Sequence, residues 1–249
     1  MKHLDLSFPT PAKNLACDEA LLDWREENGG EEILRFWESP ETFVVVGYAD
    51  KIATEVNVAN CEAKKIPIFR RCSGGGTILQ GAGCLSYALI LRIAEKSPLA
   101  GISSANRFIM ERNCAAIESE VRSQRPEVRI SISGHTDLTL NPQPSTLNKF
   151  SGNSQRRRKN FLLFHGTFLL NFNLPLVSNF LLMPSKQPDY RKSRHHDEFL
   201  ANLNFPASRM KAALVKTWNA GKILTDFPAA LVDKLVFEKY SSAAWNLKF

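Results

Sequence analysis

Apolar positions near the start of the chain recur at helical spacing. Leu15, Ala16, Ala20, Leu21 and Trp24 share one face, with Thr10 in the N-cap position and Pro11 at the first helical residue. An amphipathic helix ending near Asn28-Gly29-Gly30 is therefore predicted. The period then shortens. Residues 33–37 and 42–46 are β-branched and aromatic and flank Ser39-Pro40, which predicts two strands joined as a hairpin. Residues 57–65 predict a short helix leading into a strand at 66–69, and residues 85–93 a strand whose weak alternation places both faces in the core.

From Ser97 the pattern returns to helix. Ile102, Ala105, Ile109, Ala116, Ile117 and Val121 trace the stripe of the longest predicted helix. Residues 128–132 and 138–140 predict short strands around the turn Ser133-Gly134, and Asn141 to Ser145 a loop carrying two prolines. Residues 161–172 predict a strand interrupted at His165-Gly166-Thr167, where the glycine marks a bulge or a close backbone approach to a ligand. A short helix follows over 174–183, then a polar, proline-punctuated wrap to Phe199, then amphipathic helices at 207–218 and 228–240. No repeat or low-complexity linker breaks the chain. A single domain over 1–249 is expected, with 206–249 as a helical extension.

Composition narrows the picture. The chain is 44% hydrophobic and 23% charged, ordinary globular values. It has no run of about 18 apolar residues and no export-type leader, so a cytoplasmic protein is expected. The five cysteines, Cys17, Cys61, Cys72, Cys84 and Cys114, are odd in number and never spaced C-x-x-C, so neither a disulfide framework nor a zinc site is expected. A net charge of +7 favours acidic partners without choosing among phosphates, nucleic acid and acidic protein surfaces.

Two stretches carry candidate chemistry. In the first, Arg70 and Arg71 close a strand and Ser73-Gly74-Gly75-Gly76 turns into Thr77-Ile78-Leu79, which predicts a strand, glycine turn, strand cradle. Three glycines can take positive φ and expose backbone N–H groups, while two guanidinium forks bind anions; together they suit a carboxylate or a phosphate. The alternative is a plain hairpin turn beside solvated arginines. No Gly-Lys-Ser/Thr follows and the G-x-G-x-x-G spacing is absent, so neither a P-loop nor a dinucleotide fold is indicated. The second stretch runs Lys149-Phe150-Ser151-Gly152-Asn153-Ser154-Gln155, then Arg156-Arg157-Arg158-Lys159, then His165-Gly166-Thr167.

In chain order, R-R-x-S-G-G-G, G-x-x-D-L at Gly134 to Leu138, K-x-S-G-x-x-Q and H-G-T together resemble the lipoate–protein ligase A family, over roughly Leu4 to Leu203. The resemblance implies an α/β (α+β) fold with a large mixed, mostly antiparallel sheet flanked by helices, like the class II aminoacyl-tRNA synthetases and the biotin–lipoate ligases. It implies a reaction in which lipoate and ATP, with Mg²⁺, give lipoyl-adenylate and pyrophosphate, after which an acceptor lysine attacks. Lys149 would be catalytic, holding the carboxylate and the α-phosphate. Arg70, Arg71, Ser73, Gly74, Gly75, Gly76, Thr77, Gly152, Asn153, Gln155, His165 and Gly166 would bind substrate and nucleotide, and Asp137 would bind Mg²⁺. His165, a lone histidine in an apolar strand, is assigned to pocket lining and not to proton transfer. His195-His196 has no third ligand at metal spacing.

The implied partners are lipoyl-domain acceptors, such as 2-oxoacid dehydrogenase E2 subunits and glycine cleavage H-like proteins, with a separate accessory protein possible because the residues after Phe205 are too few for the family's accessory domain. Neither a membrane nor nucleic acid is expected. The chain departs from the family pattern at Gln80-Gly81, where His-Asp is common, and at Thr136, where Asn is common. A competing transferase, moving octanoyl or lipoyl groups between carriers without ATP, needs a cysteine nucleophile. No cysteine follows Cys114, in the half where such transferases place theirs. A non-catalytic lipoate-binding protein and a nucleic-acid binder using Arg156 to Lys159 also compete with the ligase.

Overall fold

The computed structural model describes residues 1–143 and 146–249. After strand β1 (Lys2–Asp5), Thr10 Oγ1 accepts from Lys13 N and opens α1 (Pro11–Asn28), which ends at Gly29 with φ of 65°. The apolar stripe of α1 is buried as predicted. Next come β2 (Ile33–Trp37), β3 (Phe43–Val46), α2 (Ile52–Glu55), α3 (Val58–Ala63), β4 (Ile68–Arg70), β5 (Ile78–Gln80), β6 (Cys84–Arg92) and α4 (Ile102–Arg122). The second half holds β7 (Ile130–Ser133), β8 (Asp137–Gln143), β9 (Thr146–Arg157), β10 (Phe161–Leu169), α5 (Pro175–Phe180), α6 (His196–Phe199), α7 (Ala207–Thr217), β11 (Lys222–Ile223), α8 (Ala229–Leu235), a π-helical turn at Val236–Tyr240 and α9 (Ala243–Asn246).

The main sheet has eight strands in the order β11-β1-β2-β6-β10-β9-β8-β7. Only the β1 pairings are parallel. Both faces are covered. Leu34, Leu89, Phe150, Leu162, Phe164 and Phe168 pack in one cluster with residues of α4 and α7, whereas Ile33, Ala88, Ile90, Phe161 and Leu163 pack in another with α1. That double coverage explains why β6 reads as a continuous apolar run. Ile102, assigned to the stripe of α4, is instead exposed at the helix start. Among the described residues no helix is long and apolar enough to cross a membrane.

One sequence expectation about pairing is corrected, and the hairpin alternative for the glycine stretch falls with it. β2 and β3 are not a hairpin: β2 belongs to the main sheet, while β3 centres a separate three-stranded sheet ordered β4-β3-β5. All four residues of β3 are buried, so it needs neighbours on both edges and cover on both faces, which a two-stranded hairpin cannot supply. Likewise β4 and β5 do not pair with each other. β4 runs parallel to β3 on one edge and β5 antiparallel on the other, so the glycine stretch crosses from edge to edge instead of closing a hairpin.

The expected bulge at His165-Gly166-Thr167 is also absent. β10 pairs residue for residue with β6 from Phe161 opposite Arg92 to Leu169 opposite Cys84. Gly166 makes room for a side chain of the neighbouring strand and not for a ligand, since a Cβ there would lie 1.7 Å from Asn153 Oδ1. The irregularity lies one strand over. In β9, Ser151 faces Leu138 and Lys149 faces Thr139, which leaves Phe150 as the extra residue. The loop expected over Asn141 to Ser145 is corrected for its first three residues, because β8 continues through Gln143; Pro144 and Ser145 lie outside the described residues.

Candidate active site

A cleft of about 860 Å³ opens beside the glycine stretch, β9 and β10. Arg71 organises its rim from within. Its guanidinium donates to the carbonyls of Gly74 (2.6 Å) and Gly76 (2.9 Å) and to Ser73 Oγ (3.2 Å), and burial pushes its pKa down to about 10. The charge persists at neutral pH. Among the described residues no salt bridge neutralises Arg71. Only Gly75 of the three glycines takes positive φ, at 85°, where a side chain would be strained. Gly74 and Gly76 have open space where a Cβ would be, so a ligand can approach their backbone. Gly47 is equally required, since its Cβ would lie 1.9 Å from Gly75 O.

Behind this rim lies a buried polar chain. Arg35 is fully buried and bonded to Asp18, to Asn14 and to Leu6 O; Asp18 Oδ2 is 3.4 Å from His165 Nδ1, and His165 Nε2 is 2.6 Å from Ser73 Oγ. Ser73 also meets Ser154 Oγ at 2.8 Å. Burial alone would raise the Asp18 pKa, but Arg35 and His165 hold it below the usual carboxylate value. Gln80, where the chain departs from the family pattern, donates to Thr167 Oγ1 at 2.8 Å on the same wall.

The opposite wall carries Lys149. Gly152, Ser154 and Arg156 alternate along β9 on the side of His165, so a straight strand would put Lys149 on the other face. The extra residue Phe150 reverses that. Phe150 is buried in the α4-side cluster, and the Lys149 side chain passes over Gly152 to reach Asp137 Oδ1 at 2.8 Å. Asp137 Oδ2 accepts from the Tyr190 hydroxyl at 2.6 Å. Thr136 Oγ1 donates to Asn153 O, and Asn153 Nδ2 returns a bond to Thr136 O, each at 2.7 Å, fastening the turn after β7 to β9.

The cleft therefore brings together Arg71, Gly75, Gly76, Thr77, Asp137, Lys149, Gly152, Asn153, His165 and Gly166, with Ser73 just behind. Arg70 and Gln155 are turned away. The Arg70 guanidinium donates to the carbonyls of Gly47, Asp50 and Lys248, and its own backbone bonds to Asn246 and Trp245 of α9. Gln155 points to α4, bonding Asn106 and Ile102 O. Neither the basic run nor the cysteines occupy the site. Arg157 donates to Leu99 O and Ala100 O and Arg158 pairs with Asp23, because successive strand residues alternate faces. Cys17, Cys61, Cys72 and Cys84 are buried and line no part of the cleft; burial pushes the thiols of Cys72 and Cys84 up to about 12, and those of Cys17 and Cys114 to about 11.

Two cleft residues, Asp18 and Tyr190, and one that supports the rim, Gly47, escaped the sequence reading. Asp18 left a signal, an acid in the middle of the apolar face of α1; Gly47 and Tyr190 left none. A resident metal does not fit this geometry. Both oxygens of Asp137 already accept from Lys149 and Tyr190, and no cluster of three acidic, histidine or cysteine ligands occurs among the described residues.

Comparison with known proteins identifies the family of the chain. An octanoyltransferase LipM of Geobacillus kaustophilus is 24% identical over 99% of this chain and 98% of its own length. A probable lipoate-protein ligase A of Mycoplasma pneumoniae is 28% identical over 99% of this chain and 71% of its own length. Among solved structures, the bi-partite lipoate protein ligase of Thermoplasma acidophilum, studied with its E2 lipoyl domain, superposes with a TM-score of 0.79 at 23% identity, covering 99% of this chain and 95% of that one. Residues 10–217 match the lipoyl protein ligase A/B catalytic domain, and the chain belongs to that family.

Proposed function

We propose that this protein is an ATP-dependent ligase that activates lipoate as lipoyl-adenylate and passes it to a lysine of an acceptor lipoyl domain. Family membership leaves both ligation and octanoyl transfer open. The observation that carries the ligase reading is that the cleft presents Lys149, the Arg71 charge and open glycine backbone, but no cysteine. A transfer through a thioester needs a thiolate, and every thiol here is held protonated by burial.

Adenylation has the opposite need. Bringing a carboxylate against an α-phosphate joins two negative groups, so cations and N–H donors fixed in place beforehand lower the barrier. Lys149 is the residue assigned to hold both. Arg71 shapes the rim from Gly74 to Thr77 for the phosphates, while Ser73, Gly152, Asn153, His165 and Gly166 shape the acyl side. Arg70 and Gln155 act as scaffold. Magnesium is assigned to the nucleotide's phosphates as part of the substrate; to reach Asp137 it would have to displace Lys149 or Tyr190. Residues 1–249 are proposed to work as one catalytic domain, with lipoyl-domain proteins as acceptors.

Lipoate-dependent incorporation of labelled pyrophosphate into ATP tests the first step. A mass increase on a lipoyl domain incubated with the protein, lipoate and MgATP tests the second. Transfer of octanoate from an acyl-carrier thioester in the absence of ATP, with no pyrophosphate exchange, would replace this reading by the transferase one.

A further inference from the structure

The segment from Pro184 to Leu200 crosses the cleft beside Lys149. Arg194 donates to Leu147 O at 2.7 Å and to Asn148 Oδ1 at 3.1 Å, and Ala201 N, just past the end of the segment, donates to Lys149 O at 2.9 Å, so the segment is fastened to β9 at the lysine and at the two residues before it. Within it, the Tyr190 ring packs on Phe199, with centroids 5.3 Å apart, and over the bare Cα of Gly134. Its hydroxyl reaches Asp137 Oδ2 at 2.6 Å while the other carboxylate oxygen holds the Lys149 ammonium at 2.8 Å. Burial, reinforced by Asp137, raises the pKa of that hydroxyl, so it remains a donor across the working range.

A lysine carries its charge on a flexible four-carbon stem, and a carboxylate held by one donor can rotate. We propose that Tyr190 is a positioning residue of the activating step: by holding Asp137 Oδ2 it aims Oδ1 at Lys149 and fixes the ammonium above Gly152 before substrate arrives. The step affected rests on the ligase reading; the geometry does not. The crossing segment thereby belongs to the reaction and not only to the surface, because the hydroxyl that sets the lysine comes from it.

Tyr190→Phe keeps the ring and removes only the hydroxyl. The first readout is the rate at which acetic anhydride acylates Lys149, mapped by mass spectrometry on the intact folded protein. Tyr190→Phe and Asp137→Asn should each raise it several-fold at unchanged thermal midpoint. The second is catalytic. Pyrophosphate exchange should fall about tenfold in kcat, the loss expected for one charge-assisted hydrogen bond, with KM for lipoate unchanged and transfer from supplied lipoyl-adenylate unaffected. Adding Tyr190→Phe to Asp137→Asn should cost little more, since both act through one lysine. Unchanged Lys149 labelling overturns the proposal, as does wild-type exchange by Tyr190→Phe or an equal loss in both half-reactions. If the wild-type protein shows no exchange while Lys149 labelling responds as expected, the ligase reading fails and the positioning role stands.

Discussion

Along α1 and β2, Asp18 and Arg35 are 3% and 0% exposed and are tied to Asn14, His165 and the backbone; across the cleft, the Lys149 and Asp137 side chains keep 25% and 14% exposure and, among the described residues, are tied only to each other and to Tyr190. The first wall surrenders its charges to the fold. The second keeps a cation available to a ligand. A buried pair breaks at great cost because the survivor has no water to turn to, whereas a half-exposed pair can exchange one partner for a substrate anion. Substitutions on the two walls should therefore separate stability from activity.

The largest effect is expected at Asp18→Ala, which strands the Arg35 guanidinium in the core and should cost ~3–5 kcal/mol in denaturant unfolding. Its pH dependence follows the lowered pKa. The folded carboxyl titrates below its unfolded value near 3.9, so its contribution is complete above about pH 4 and is lost as pH falls through the folded pKa. Asp18→Asn should remove that acid slope, as unfolding midpoints between pH 2 and 6 would show. Lys149→Ala should do the reverse: stability should stay within about 0.5 kcal/mol while adenylation drops about 10²- to 10³-fold. Full exchange activity in that variant would remove Lys149 from the chemistry.

Two neighbouring glycines sharpen the contrast at smaller scale. A Cβ at Gly152 would lie 2.8 Å from Lys149 Cε and Nζ, the free end of a flexible side chain, so Gly152→Ala should leave folding nearly intact and cost about tenfold in adenylation. At Gly166 the Cβ would meet Asn153 Oδ1 at 1.7 Å and Gly152 O at 2.9 Å; Gly166→Ala should cost ~1–3 kcal/mol of stability through a strained sheet. Paired melting and exchange measurements on both variants decide this. The smallest effect belongs to the basic run. Arg158 is a third exposed and pairs with Asp23, so Arg158→Gln should cost at most ~1 kcal/mol and leave the rate of transfer to an acceptor domain unchanged. A salt-dependent fall in transfer rate would instead give the basic run a role in steering an acidic acceptor.

What was legible depended on how local its cause is. α1 carries its cap, its proline and its terminal glycine in its own residues, and β6 its double burial in an unbroken apolar run, so both were readable. The β2–β3 hairpin was misread because strand character is local while strand pairing is not: nothing within residues 33–46 says that β3 will be covered by β4 and β5. In the site, the placement of Lys149 on the cleft and of Ser73 just behind it was readable from their motifs. The opposite orientations of Arg70 and Arg71 were not, because Arg70 is held by α9 from the far end of the chain. Tyr190 lies in a polar stretch without periodicity, and only the folded chain shows which carboxylate it meets.

The extra residue in β9 makes the lysine's address a matter of counting. Phe150 holds the extra position out of step by burying its ring in the apolar layer beneath α4. Deleting it would leave Lys149 two residues from Gly152, so regular alternation would keep the ammonium on the cleft face; flattening the strand with every residue retained would instead swing the ammonium through the sheet. The ring of Phe150 is thus an anchor as well as a filler. A variant lacking Phe150 should lose packing beneath α4 yet keep Lys149 open to acylation from the cleft, and a single-codon deletion scan of the strand would find that position more tolerant than those from Gly152 onward.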